Sequence, residues 1–136
     1  MRALRRIGIV LWLAGWLTGV VEAQPHHEYT TQTKTATSTT AQTDTTLWTP
    51  ATGKRFILQG VLVCATMSVR VELEVSDVDV IAPVYLDSYG CRTVDASGAA
   101  LYMSATDAVL TYTTITTTHS PIYAAVSVTA WGYEAQ

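Results

Sequence analysis

Polar and apolar positions alternate with a period of two along much of the chain. From Ser68 to Val75, the residues Val69, Val71, Leu73 and Val75 alternate with Arg70, Glu72 and Glu74. This pattern predicts an antiparallel strand with one buried and one wet face. Phe56 to Ala65 is apolar on both parities, with Phe56, Leu58, Leu62 and Cys64 on one and Ile57, Val61 and Val63 on the other. It predicts a central strand covered on both sides. Further strands are expected over 78–81, 84–86, 99–104, 108–114 and 122–133. Turn residues separate them: Ala82-Pro83, Tyr89-Gly90, Ser97-Gly98, Ala105-Thr106-Asp107 and Ser120-Pro121. No window beyond the N-terminal segment sustains a 3.6-residue period. Short strands at intervals of roughly 8–12 residues imply an all-β fold, an antiparallel β-sandwich of jelly-roll-like form.

The chain begins differently. Arg2, Arg5 and Arg6 precede an apolar run from Ile7 to Val21, followed by Val21-Glu22-Ala23. These are the three parts of a secretory signal, so residues 1–23 read as a signal peptide of helical form, cleaved after Ala23. The run is shorter than the roughly 20 apolar residues a membrane-spanning helix needs. No stable membrane span is therefore expected once the signal is removed. Residues 24–46 are polar and threonine-rich, with Tyr29 their only large apolar side chain. They predict a flexible arm or stalk ahead of a β-sandwich domain over 47–136. Thr33, Thr35, Thr37 and Thr39 nevertheless recur at the strand period. Two readings stay open there: an edge strand added to the domain, or a tether open to O-glycosylation.

Charge narrows the partners. The whole chain carries eight basic and eleven acidic side chains. Residues 1–23 hold three of the basic ones and one of the acidic, which leaves the mature chain at a formal net charge of −5. Without a basic stripe, nucleic acid is not an expected ligand. An exported destination, secreted, periplasmic or at the cell surface, makes a disulfide between Cys64 and Cys91 plausible chemistry. Closing that span would contribute roughly 3–4 kcal/mol. The alternative is Cys64 as a small buried hydrophobe and Cys91 as a loop residue.

Catalytic and metal chemistry find little support. Asp77 and Asp79 lie two apart, but two carboxylates do not satisfy the six to eight oxygens Ca²⁺ takes, and a charged bend accounts for them. Asp87, Asp95 and Asp107 sit beside turn residues, where carboxylates accept backbone N–H bonds. His26 and His27 follow Pro25, which removes the amide a copper site at the new amino terminus needs. His119 has no serine-acid arrangement near it, and no G-x-S-x-G elbow occurs. No catalytic residue, metal or cofactor is assigned. Gly53-Lys54 suggests a phosphate loop, but Trp48 stands where such a loop wants glycine, and Arg55 follows the lysine. "PATGKRF" reads as a turn leading into a strand.

The aromatic residues are more informative. In the last predicted strand, Val126, Val128 and Ala130 share one parity, and Tyr123, Ser127, Thr129, Trp131 and Tyr133 the other. With the valines in the core, Trp131 and Tyr133 stand side by side among hydroxyls, suited to stacking on a sugar or packing on a partner chain. Tyr123 joins them as a candidate contact. A bend or covering loop would instead make the rings a cap.

From Thr45 onward, "TLWTPATGKRFILQGVLV" and the closing "AAVSVTAWGYE" resemble a loose group of small β-sandwich proteins encoded by bacteriophages and prophages. The resemblance implies a jelly roll used as a virion or tail accessory, hence a virion-associated location. The signal peptide departs from that use and favours an exported form of a similar module. The expectation is a non-enzymatic structural or adhesive domain with a protein partner or self-association. The alternative is a carbohydrate-binding module, with a glycan on the aromatic pair.

Overall fold

A computed structural model describes residues 29–116 and 124–136. The expected signal helix, His26, His27, His119 and Tyr123 lie outside the described residues. Ten strands run through them: β1 (Gln32–Ser38), β2 (Thr45–Trp48), β3 (Arg55–Ala65), β4 (Val69–Val75), β5 (Val78–Asp79), β6 (Val84–Leu86), β7 (Gly90–Asp95), β8 (Tyr102–Met103), β9 (Leu110–Thr116) and β10 (Val126–Ala135). Among the described residues there is no helix. The strands form two antiparallel sheets that pack as a β-sandwich. The first has the order β1-β10-β3-β7, with β8 also on β3, and the second β2-β9-β4-β5, with β6 also on β4.

The period-two pattern becomes the core directly. In β4 the buried and half-buried positions alternate along the whole strand, with Val69, Val71 and Leu73 fully buried. They meet Phe56, Leu58, Val61 and Val63 from β3, Val128 from β10 and Leu110 from β9. Each such side chain contributes roughly 1.5–3 kcal/mol by leaving water. Trp48 closes one end of this core, its ring 5.5 Å from that of Phe56.

Strand β3 departs from its predicted parity. Trp131 pairs with Gly60 but Gly132 with Leu58, so a bulge at Gln59-Gly60 inserts one residue into β3. The bulge switches faces: Phe56 and Leu58 point inward before it, and Val61, Val63 and Ala65 after it. The strand is central in its sheet, yet only one of its faces meets the core. Ile57, Leu62 and Cys64 lie on the outer face, where Ile57 is still buried opposite Tyr133.

The threonine-rich arm also differs from expectation. Residues 32–38 are not a free stalk; they form β1, paired through seven registered positions with β10. The edge-strand reading of the threonine period is the one observed, and the domain boundary expected at residue 47 falls inside β2. Sequence hydrophobicity underestimates this segment because its hold comes from the backbone ladder, with Ala36 the apolar side chain set against the core. Lys34 points inward on this edge, with Nζ 5.7 Å from the Trp48 ring. An inward charge is a common guard against unwanted pairing at a sheet edge.

Two turns follow their sequence logic. Val75 pairs with Val78, and the intervening Ser76 and Asp77 both have positive φ, as a two-residue type I′ hairpin requires. Asp77 and Asp79 are thus hairpin chemistry. At Ala51 to Lys54, the Lys54 amide donates to the Ala51 carbonyl at 2.9 Å, and Gly53 takes φ +77°, the region a type II turn needs at that position. The Gly53 amide donates to Asp107 Oδ1 at 2.6 Å, tying this turn to the β8–β9 connection.

Candidate functional site

Register builds the outer face of the β1-β10-β3-β7 sheet row by row. Thr37 pairs with Ser127, Ser127 with Cys64, and Cys64 with Cys91. The next outward row is Thr35, Thr129, Leu62 and Thr93, and the third is Thr33, Trp131, Gly60 and Asp95. The first two rows carry no charge across all four strands. Residues from four distant parts of the chain therefore share one plane of hydroxyl, sulfur and aliphatic groups.

Trp131 and Tyr133 do face outward together beside Ser127 and Thr129, as the parity of β10 predicts. Each already spends one surface on the chain. A Cβ at Gly60 would overlap the Trp131 indole, so the ring lies across the glycine and only glycine leaves room for it. The Tyr133 ring stacks on Tyr29, with centroids 4.7 Å apart and planes 24° apart. Both rings remain half-buried rather than free. Tyr123, the third candidate contact, lies outside the described residues.

Cys64 and Cys91 form a disulfide with an S–S distance of 2.04 Å. It joins β3 to β7, an edge strand whose only half-buried inward apolar residue is Val94. Cys91 is exposed and Cys64 half-buried, so the bridge lies on the outer face and not in the core.

A cleft of about 580 Å³ opens at the end of this face where the β1–β2, β3–β4 and β6–β7 connections gather. The row Thr37, Ser127, Cys64 and Cys91 lies along it, Thr39, Thr40 and Thr66 border it, and Tyr89 stands at its rim, 81% exposed. Sequence reasoning missed this place, since Tyr89-Gly90 signals only a turn. The usable clue was an aromatic residue two positions from a cysteine. Part of the rim is rigid: the Thr66 amide donates to the Ala125 carbonyl at 3.0 Å, and the Ala125 amide to Thr66 Oγ1 at 3.0 Å.

The far end of β10 is anchored by Glu134. Its carboxylate accepts from Trp48 Nε1 at 3.1 Å and from the Ala51 amide at 3.2 Å. Partial burial pushes its pKa up, but these two bonds and the charges of Lys34 and Lys54 outweigh that and hold it below the usual carboxylate value. The anchor fixes the segment that displays Trp131 and Tyr133. On the other sheet, Glu74 shifts the opposite way. Loss of hydration raises its pKa against the Thr113 hydrogen bond, helped by Glu72, Asp44 and Asp79.

Among the described residues, no three His, Cys, Asp or Glu side chains gather in a metal-holding group, and no helix is long and apolar enough to cross a membrane. No protein-family model matches the chain, and no curated protein matches it significantly.

Proposed function

We propose that the chain is an exported, non-enzymatic adhesive module that meets a partner surface through the outer face of the β1-β10-β3-β7 sheet. The observation that carries this is the uncharged plane of Thr35, Thr129, Leu62 and Thr93 beside Thr37, Ser127, Cys64 and Cys91. A solvated sheet face normally carries charge, as the other sheet does with Arg70, Glu72 and Glu74. A flat neutral face has little desolvation to overcome when it is covered. Export is supported by the signal-like residues 1–23 and by the Cys64–Cys91 disulfide, a bond of oxidising compartments.

Strand order supports the jelly-roll reading and, with it, the likeness to phage accessory proteins. Taking β5 with β6, and β7 with β8, as interrupted strands, eight principal strands remain. They pair first with eighth, second with seventh, third with sixth and fourth with fifth. That is the pairing of one long hairpin folded over twice, an architecture used by capsid and lectin domains alike.

The test is cosedimentation of the purified protein with cells that carry its gene. Wild type is expected in the pellet, and Thr129→Lys, which plants a charge mid-face, is expected to fall roughly tenfold in the bound fraction while staying folded. Equal pelleting of the two proteins overturns the reading.

A further inference from the structure

The cleft at the loop end of the first sheet has features the rest of that face lacks. Its volume of about 580 Å³ lies within the ~300–1,000 Å³ of small-molecule sites. Among the described residues, none that lines it carries a charge. An ion entering it would lose hydration without meeting a counter-charge, which disfavours anionic and cationic ligands alike. Its polar groups are hydroxyls, and three of its serine and threonine side chains, Thr37, Thr39 and Ser127, have no hydrogen-bond partner among the described residues, unlike Ser38, Thr40 and Thr66. Thr37 and Ser127 are register partners on neighbouring strands, which puts their Cβ atoms about 4.5–5.5 Å apart. Two hydroxyls at that spacing, each able to donate and accept, suit neighbouring hydroxyls on one ring. Tyr89 supplies the remaining element, a ring exposed at the rim with no aromatic partner among the described residues.

We infer that this cleft binds a neutral saccharide, with a sugar ring stacked on Tyr89 and its hydroxyls bonded to Thr37 and Ser127. The inference rests on the reading of this sheet face as the contact surface and names what the partner surface presents. The Cys64–Cys91 disulfide holds the start of β7 against β3, and so fixes Tyr89, two residues upstream of Cys91, at the rim. Recognition by an aromatic face and hydroxyl pairs, without charge, gives modest affinity and depends little on salt.

The experiment is a neutral-glycan array followed by isothermal titration of the full-length chain, with cellotriose, maltotriose and chitotriose as neutral probes and a galacturonate trimer as the charged one. At least one neutral glycan is expected to bind. Its affinity should fall roughly tenfold in Tyr89→Ala, hold within about twofold in Tyr89→Phe, and be unchanged in Tyr85→Ala, which removes an exposed tyrosine from the other sheet. Ser127→Ala should weaken it as well. Far-ultraviolet circular dichroism checks that each variant is folded; these positions lie at the surface or on the outer face. Absence of any neutral glycan binding, binding indifferent to Tyr89→Ala, or preference for the galacturonate trimer each overturns the inference. Cosedimentation keeps the two readings apart. If Thr129→Lys abolishes pelleting while no sugar binds, the contact face stands and the saccharide falls; if sugar binds but pelleting ignores Thr129→Lys, the reverse holds.

Discussion

The outer faces of the two sheets are made from similar threonine-bearing strands, yet they treat their polar groups in opposite ways. On the β2-β9-β4-β5 sheet, Thr113 Oγ1 donates to Glu74 Oε2 at 3.2 Å and Thr111 Oγ1 to the Glu74 carbonyl at 3.3 Å. Arg70 forms an ion pair with Glu72 and sits 5.8 Å from the Tyr85 ring. Glu74, Thr111, Thr113, Arg70 and Glu72 there each have a partner within the chain. On the β1-β10-β3-β7 sheet, Thr35 and Thr129 bond each other at 3.0 Å, while Thr37 and Ser127 have no hydrogen-bond partner among the described residues and charge is absent from two whole rows. One face thus directs its charged and hydroxyl groups largely at each other, while the other presents open hydroxyls, a disulfide and an aromatic rim, the contrast on which the proposed contact role rests.

The comparison is broken most severely on β10 opposite the β3 bulge. A Cβ at Gly132 would overlap the Ile57 carbonyl oxygen of the neighbouring backbone, and neither strand can yield without losing its ladder. Gly132→Ala is expected to cost about 4 kcal/mol or more in urea unfolding, in the exceptional range for one substitution. Next comes the bridge: Cys64→Ser with Cys91→Ser should lose roughly 3–4 kcal/mol by loop entropy, read by the same method. The matching disturbance of the other face, Arg70→Ala, removes the ion pair and the ring contact, and is expected to cost under about 1 kcal/mol.

Acid sharpens the contrast. The depressed pKa of Glu134 makes its stabilisation present above the ordinary carboxylate value and lost as pH falls through the lower folded value. The raised pKa of Glu74 gives the opposite slope, a contribution present below the ordinary value and lost as pH rises through the folded one. Melting temperatures between about pH 3 and pH 6 should therefore fall less steeply on acidification in Glu134→Gln than in wild type, and more steeply in Glu74→Gln. Identical slopes in all three proteins would remove the assigned roles.

What the sequence made legible follows from how local each feature is. The alternation of Val69 to Val75, the outward parity of Trp131 with Tyr133 and the Gly53 turn need only neighbours in the chain, and all three appear in the structure. Strand β3 misleads because its apolar residues occupy both parities, so the bulge at Gln59-Gly60 leaves no mark in hydrophobicity. Strand β2 escapes notice because four residues are too few to show a period, and β7 because an edge strand buries few side chains. The cleft was the least legible feature: Thr37, Cys64, Cys91 and Ser127 become neighbours only through three separate registers. Composition records the hydroxyls but not their alignment.

Hydroxyl-radical footprinting of the protein free and bound to cells tests the central claim most directly, because it reads side-chain exposure on both faces in one experiment. Tyr89 and Leu62 should be protected on binding, with Tyr85 and Ile115 oxidised as before. Protection of Tyr85 and Ile115 with Tyr89 and Leu62 unchanged would contradict that claim.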